Sequence, residues 1–161
     1  TPGTIFESSM LNEKENNYLM SLTCHDEQYS TAFCDLSTGE FFTMRLYSLA
    51  QVLSIMLRFS PTECIIPESL KVNEEIISRI KAQGVFLNYL DDHLFNTEKA
   101  AETILSHYNL QSLHPLGLEH QPELTKTAGA LLQYLHYTQK NSLKHLQKIS
   151  IRSNQTTMLL D

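Results

Sequence analysis

The segment 32–45, which reads AFCDLSTGEFFTMR, constrains the fold more than any other part of the chain. Two runs rich in aromatic, β-branched and small residues, 29–36 and 41–46, flank a polar loop, Ser37-Thr38-Gly39, whose glycine can adopt a positive φ. The second run alternates between two faces, with Phe42, Met44 and Leu46 on one and Phe41, Thr43 and Arg45 on the other. This pattern predicts a β-hairpin at the centre of a sheet.

The hydrophobic period changes from two to about 3.6 residues after this hairpin. Ser48 and Gln51 fit a capping box, and Asn73 and Gly84 fit the two ends of a second helix. The predicted strands are 17–24, 29–36, 41–46, 63–66 and 85–90, and the predicted helices are 48–60, 73–84, 98–108 and one that begins near Pro122.

This order of elements predicts the topology of the sheet. A helix between two strands normally makes a right-handed crossover and leaves the strands parallel. We therefore expect an α/β fold, a ribonuclease H-like mixed five-stranded sheet. It would contain a three-strand antiparallel meander and two parallel strands, flanked by helices.

The balance of charges argues against a chain that mainly wraps a phosphate backbone. The 161 residues contain 12 Lys plus Arg and 18 Asp plus Glu, a net charge of −6. Residues 121–161, however, hold 5 basic and 2 acidic residues. Two interpretations of this basic end remain open, a solvated helix face and an auxiliary contact with DNA. Its recurring basic residues are Lys140, Lys144, Lys148 and Arg152.

The three cysteines, Cys24, Cys34 and Cys64, are widely spaced and form no C-x-x-C pair. We therefore expect buried thiols in a reducing cytosol rather than disulfides or a zinc site. No apolar run reaches the ~18 residues of a membrane span, and the first residues do not resemble a signal peptide. Because the chain also begins without methionine, we expect a piece of a longer cytoplasmic protein with no membrane partner.

A ribonuclease H-like fold raises the question of a two-metal nuclease, whose site needs several carboxylates around ions ~3.5–4 Å apart. The predicted first strand and first helix contain no acidic residue. Asp35 with Glu63 or Glu68 is the remaining candidate set, and a divergent metal-dependent nuclease stays open as the alternative function. The simpler prediction for Asp35 is a turn residue whose carboxylate accepts hydrogen bonds from nearby backbone amides.

The sequence offers no other catalytic or cofactor pattern. The seven histidines form no H-x-x-x-H pair and no finger spacing with cysteine. The three thiols lie in apolar, strand-like surroundings that raise a thiol pKa, so a Cys/His nucleophile is not expected. Gly39 stands alone, which excludes a phosphate-binding loop of the G-x-x-x-x-G-K type. We expect no catalytic residue, no metal site and no cofactor in this chain.

Several short sequence blocks lie in collinear order along the chain, and DLSTGEF at 35–41 is the most distinctive. The others are TPGT at 1–4, NNYL at 16–19, PTECII at 61–66, LGLE at 116–119, AGALLQYL at 128–135, TQK at 138–140 and MLLD at 158–161. Together these blocks resemble the connector domain (domain II) of the MutS family of DNA mismatch repair proteins.

The resemblance implies a ribonuclease H-like module without nuclease activity, which relays between the DNA-reading and ATPase parts of a longer protein and contributes to MutL docking. It implies a linker from the mismatch-binding domain at 1–16, the connector domain at 17–140, and a segment at 141–161 that leads into the core, or lever, domain. ATP and Mg²⁺ belong to the full-length family, whose P-loop is absent here. Mismatched double-stranded DNA is bound through other domains, and full-length members are homodimers in the bacterial cytosol.

The predicted partner-binding surface is the polar side of the helix at 98–108. Under the family interpretation, this side is exposed and available to MutL. Its residues are Lys99, Glu102, Thr103 and Ser106.

Overall fold

A six-stranded mixed sheet forms the centre of the computed structural model, which describes residues 16–154. The strands are β1 (Tyr18–His25), β2 (Gln28–Asp35), β3 (Phe41–Leu46), β4 (Glu63–Pro67), β5 (Phe86–Leu90) and β6 (Ser150–Arg152). The helices are α1 (Leu49–Phe59), α2 (Glu74–Lys81), α3 (Thr97–Tyr108) and α4 (Pro122–Thr138). Short 3₁₀ helices lie at Glu68–Val72, Asp92–Phe95 and His114–Leu116. The predicted linker at 1–16 and the MLLD block lie outside the described residues, except for residue 16.

The strand order is β5-β4-β1-β2-β3-β6. β2 is antiparallel to β1 and β3, whereas β4 is parallel to β1 and β5. The predicted ribonuclease H-like arrangement is therefore confirmed for the first five strands. The prediction of five strands is incomplete, because β6 pairs in parallel with β3. Three residues are too few to show a strand period in the sequence.

Each face of the sheet carries its own hydrophobic core. On one face, α1 and α2 pack on Met20, Phe33 and Phe42. On the other face, α4 packs on residues such as Leu19 and Phe41, and α3 covers α4 from outside. The predicted alternation along the second hairpin strand is confirmed, because Phe42, Met44 and Leu46 belong to the first core and Phe41 belongs to the second. None of the helices within residues 16–154 is long and apolar enough to cross a membrane.

The helix α1 begins at the predicted cap. The Ser48 hydroxyl accepts a hydrogen bond from the Gln51 amide at 3.1 Å, but the Gln51 side chain accepts from the Tyr47 amide rather than from Ser48. The spacing of apolar residues in the sequence predicts one buried stripe on this helix, formed by Leu49, Val52, Leu53, Met56 and Leu57. In the structure Leu57 is 68% exposed, while Ile55 is fully buried. The helix is therefore rotated toward Ile55 relative to the predicted stripe.

The helices α3 and α4 approach each other closely at Gly129. A Cβ atom at this position would lie 2.5 Å from the Cα of Ala100 and 2.7 Å from its carbonyl oxygen. The absence of a side chain at Gly129 therefore permits the close approach of the two helices. This contact holds α3 against α4 and defines the spacing of the cleft described below.

Candidate partner-binding cleft

The carboxylate of Asp35 serves the turn between β2 and β3. Its Oδ1 atom accepts hydrogen bonds from the amides of Ser37 at 2.8 Å and Asn17 at 3.1 Å. The side chain is fully buried, and its second oxygen has no hydrogen-bond partner among residues 16–154. The prediction that Asp35 is a turn residue is confirmed.

The acidic residues of the nuclease alternative do not come together. In the register of β1 and β2, Asp35 lies opposite Tyr18, whose side chain is in the core beneath α1. The side chain of Asp35 therefore lies on the α1 face of the sheet. Glu63 pairs with Leu19 and lies on the α4 face, so the two carboxylates lie on opposite faces of the sheet. Glu68 begins the 3₁₀ helix beyond the other end of β4 and lies 4.0 Å from Lys71. These three carboxylates therefore do not form a two-metal site.

Glu63 has a different role in the structure, since it connects α4 to the parallel strands. It accepts a hydrogen bond from the hydroxyl of Tyr134 and another from the side-chain amide of Asn88 at 3.1 Å. Burial, followed by the bond to Glu63, raises the pKa of Tyr134. Within residues 16–154, no group of three His, Cys, Asp or Glu side chains is placed to hold a metal ion.

Of the three thiols predicted to be buried, two are buried, and Cys24 is half-buried. Cys34 and Cys64 are buried and free. Burial raises the pKa of Cys34 to about 12 and raises that of Cys64 as well. Neither thiol is therefore activated as a nucleophile at neutral pH.

A cleft of about 950 Å³ opens between α3, the C-terminal half of α4 and the segment 139–149 that follows α4. We call this segment the strap. Both polar and apolar side chains line the cleft, and a volume of this size can hold a short peptide segment or a protruding loop. The lining residues include Glu102, Ser106, Gln133, Asn141, Leu143 and Lys144.

The predicted partner-binding residues have different positions relative to this cleft. Glu102 and Ser106 are exposed and line it. Thr103 also lines it but is half-buried, because its hydroxyl lies 2.9 Å from the side-chain oxygen of Gln133 and 3.0 Å from the carbonyl of Lys99. Lys99 is half-buried and is not a lining residue. Whether these four residues bind a partner stays a prediction.

Two histidines, which the sequence did not mark as a pair, link the helices in the cleft. The Nδ1 atom of His107 on α3 lies 3.0 Å from the Nε2 atom of His136 on α4. Burial, and then the neighbouring His136, lowers the pKa of His107. Their separation by 29 residues explains why no local motif revealed them. The charged residues that line the same cleft are Glu102 and Lys144.

We expect the free energy of unfolding to decrease as the pH falls below 6.5, the ordinary pKa of His107. The reason is that a histidine with a lowered folded-state pKa binds protons more readily when unfolded, so its contribution is present above that pKa and is lost in acid. Denaturant titrations at several pH values measure this dependence. It should diminish in His107→Asn and persist in His120→Asn, which alters an exposed histidine outside the cleft. Equal pH dependence in His107→Asn and the unsubstituted chain would contradict this assignment.

The strap is not part of a helix, which corrects one interpretation of the basic end. Because α4 ends at Thr138, residues 140, 144 and 148 do not form a stripe on a helix. Three apolar residues of the strap, Leu143, Leu146 and Ile149, pack into the core of the α4 face. The three lysines are exposed, whereas Arg152 pairs with Glu40 at 3.3 Å and lies over the ring of Phe42. The spacing of the three apolar residues was the available signal for a buried segment.

The fold and its surface define a class of protein: an α/β domain of ribonuclease H-like topology, with a cleft of about 950 Å³ on its α3/α4 side and no assembled nuclease carboxylates among residues 16–154. The chain belongs to the family described as MutS domain II, whose model matches residues 17–147. The predicted resemblance to the MutS connector domain is thereby confirmed.

Individual relatives agree with this assignment. The chain is 36% identical to the DNA mismatch repair protein MutS of Dehalococcoides mccartyi, 34% identical to that of Methanococcoides burtonii and 35% identical to that of Wolbachia pipientis. Each alignment covers 100% of this chain but only 18%, 18% and 19% of the relative. The chain therefore spans about a fifth of the length of these proteins.

Among solved structures, the chain is similar to the large terminase nuclease from thermophilic phage G20c. The similarity has a TM-score of 0.38 and 13% sequence identity, and it covers 89% of this chain and 62% of the nuclease. These values are too low to support an argument about activity.

Proposed function

We propose that this chain is a non-catalytic connector module of a MutS-type mismatch repair ATPase, which relays between the DNA-reading and ATPase parts and contributes to MutL docking. The observation that carries the proposal is the family match over 17–147, which covers the first five strands of the sheet and most of the strap. The chain spans 18% of the Dehalococcoides relative, so mismatched DNA, ATP with Mg²⁺ and homodimer formation belong to other parts of the longer protein in this proposal. Its expected location is the cytosol.

The cleft supports the docking part of the proposal. Its exposed lining residues include Glu102 on α3 and Lys144 on the strap, and its buried lining residues include Leu143 and Leu146. A polar rim around a partly apolar interior is the usual composition of a protein interface. We therefore assign MutL docking to this cleft, with Glu102 and Ser106 at its edge.

Charge reversal tests this assignment. We expect Glu102→Lys to weaken the association of the full-length protein with the N-terminal half of its MutL several-fold, mainly through a slower association rate, because rim charges act on encounter. The matched control is Glu98→Lys, which makes the same change on the same helix at an exposed residue outside the cleft. Calorimetry or surface binding measures both variants. Unchanged association of Glu102→Lys, or equal losses in both variants, would remove the cleft from the proposal.

The non-catalytic part is tested separately. We expect no cleavage when the purified chain is incubated with Mn²⁺ and single-stranded, duplex or hybrid nucleic acid, because Asp35 and Glu63 lie on opposite faces of the sheet. Gel electrophoresis of labelled substrates measures the outcome. Cleavage that disappears in Asp35→Asn would overturn this part and restore the nuclease alternative.

A further inference from the structure

The strap forms one wall of the cleft. Its hydrogen bonds to distant parts of the domain lie near its C-terminal end, at His145 and Gln147. Near α4 it contributes Gln139, Asn141 and Ser142 to the lining, and further along Leu143, Lys144 and Leu146. Beyond Leu146 it runs past the turn between β2 and β3 and continues directly into β6. The cleft therefore has its full depth only when the strap lies against the domain.

The turn between β2 and β3 holds the far end of the strap. The amide of Gln147 donates a hydrogen bond to the carbonyl of Gly39 at 2.7 Å. The Nε2 atom of His145 lies 2.8 Å from the carbonyl oxygen of Leu36. The side-chain amide of Gln147 donates a hydrogen bond to the carbonyl oxygen of Thr38 at 3.4 Å. Gly39 permits this approach, because a Cβ atom there would collide with the carbonyl group of His145.

A second attachment comes from α3, which is itself a wall of the cleft. The hydroxyl of Tyr108 donates a hydrogen bond to the carbonyl of Gln147 at 2.7 Å. Beneath these polar contacts, Leu143, Leu146 and Ile149 are buried. Residues 139–149 contain no helix or strand, so this segment has few backbone hydrogen bonds of its own. Segments of this kind open at a lower free energy than the sheet to which they are attached.

We propose that the strap is a movable wall whose seating on the turn between β2 and β3 controls access of a partner to the cleft. In the seated state the cleft is complete and binds its partner; in the unseated state the wall is absent and binding is lost. Because the strap continues directly into β6, which pairs with β3, a pull from the C-terminal side unseats the strap only after β6 is released from the sheet. The identity of the partner as MutL rests on the proposed function, whereas the coupling between strap and cleft does not.

The coupling has a quantitative consequence. A partner that binds only the seated state has an apparent Kd equal to its intrinsic Kd divided by the seated fraction. A substitution that reduces the seated fraction to a tenth therefore raises the apparent Kd about tenfold. Partner binding must in turn increase seating, so exchange of the Gln147 amide slows even though Gln147 does not line the cleft.

The test uses amide hydrogen exchange and partner binding on the full-length protein. We expect Gly39→Ala to accelerate exchange of the Gln147 amide, which donates to Gly39, and of the Leu146 amide, which donates to Leu143 in the wall of the cleft, while exchange in β1 stays slow. Association with the N-terminal half of MutL should weaken about tenfold. The control is Gly84→Ala, where φ is +83° and no atom lies within 4 Å of the added Cβ, so the strap should stay seated. Tyr108→Phe removes the hydroxyl that donates to Gln147 and should accelerate exchange of the Gln147 amide at smaller amplitude. Because Tyr108 also lines the cleft, exchange rather than affinity is the readout for this variant, which keeps the test decisive if Gly39→Ala does not fold.

Each outcome has a defined meaning. The coupling is overturned if the Leu146 amide stays protected when the Gln147 amide exchanges rapidly, a result that needs no partner. It is also overturned if partner affinity is unchanged when the whole strap exchanges rapidly, or if Gly84→Ala has equal effects. Failure of the unsubstituted protein to bind MutL contradicts the proposed function instead, and the exchange measurements then decide the coupling alone.

Discussion

Replacing Gly39 with alanine should lower the free energy of unfolding by about 2–5 kcal/mol, the combined effect of a left-handed backbone and an overpacked contact. Gly39 has a φ of +84°, and a Cβ atom there would lie 3.1 Å from the carbonyl carbon of His145 and closer still to its oxygen. Both neighbours are backbone atoms, so they cannot move aside by a change of rotamer. Chemical denaturation monitored by circular dichroism measures the loss.

The substitution Gly84→Ala separates the two causes. Gly84 has nearly the same φ, +83°, but nothing lies within 4 Å of the added Cβ. This control should lose only the backbone part, about 1–2 kcal/mol. Equal losses at the two positions would show that the approach of the strap to the turn does not contribute to stability.

The second large effect is expected at Gly129, where alanine should destabilise the domain by about 1–3 kcal/mol. Intrinsic helix propensity alone predicts the opposite, since alanine is favoured over glycine inside a helix by about 1 kcal/mol. The close approach of Ala100 decides the sign, because its Cα and carbonyl oxygen would lie 2.5 Å and 2.7 Å from the new Cβ. The two helices must separate to accommodate the methyl group.

Urea titrations measure this loss, with Ser78→Ala as the control on an exposed position of α2. That variant has no packing neighbour to displace and should change stability by less than about 0.5 kcal/mol. A Gly129→Ala variant as stable as the unsubstituted chain would mean that α3 can shift away from α4 at no cost. Its cleft should then also be wider, which the binding experiment with MutL would detect.

The comparison with the sequence shows a consistent division between local and long-range features. Strands and helices with a clear hydrophobic period were predicted within one or two residues, including β3 at Phe41–Leu46 and α4 from Pro122, except that α2 ends at Lys81, three residues before the predicted end. The role of Asp35 was also predicted, because the amide of Ser37, one of its two hydrogen-bond donors, lies two residues away. The candidate binding residues were predicted from one face of α3. In the structure Glu102 and Ser106 on this face are exposed to solvent, whereas Thr103 contacts Gln133 on α4.

The features that the sequence did not predict are contacts between residues far apart in the chain. Thr103 was assigned to an open surface, but its neighbour Gln133 is 30 residues away. The strap contacts the turn between β2 and β3 across 109 residues, as shown by His145 and Leu36. Hydrophobic periodicity and helix-capping residues cannot predict such contacts, because they depend only on residues close together within one helix or strand.

Side-chain patterns along the chain were sufficient to predict the order of the first five strands and the four helices, the hairpin around Gly39 and the resemblance to the MutS connector domain. These features depend on side-chain alternation, turn chemistry and short sequence blocks, which are all local. Only the tertiary structure placed Asp35 and Glu63 on opposite faces, added β6 to the sheet and formed the cleft between α3, α4 and the strap. The physical reason is that each of these features depends on close packing between segments distant in the chain.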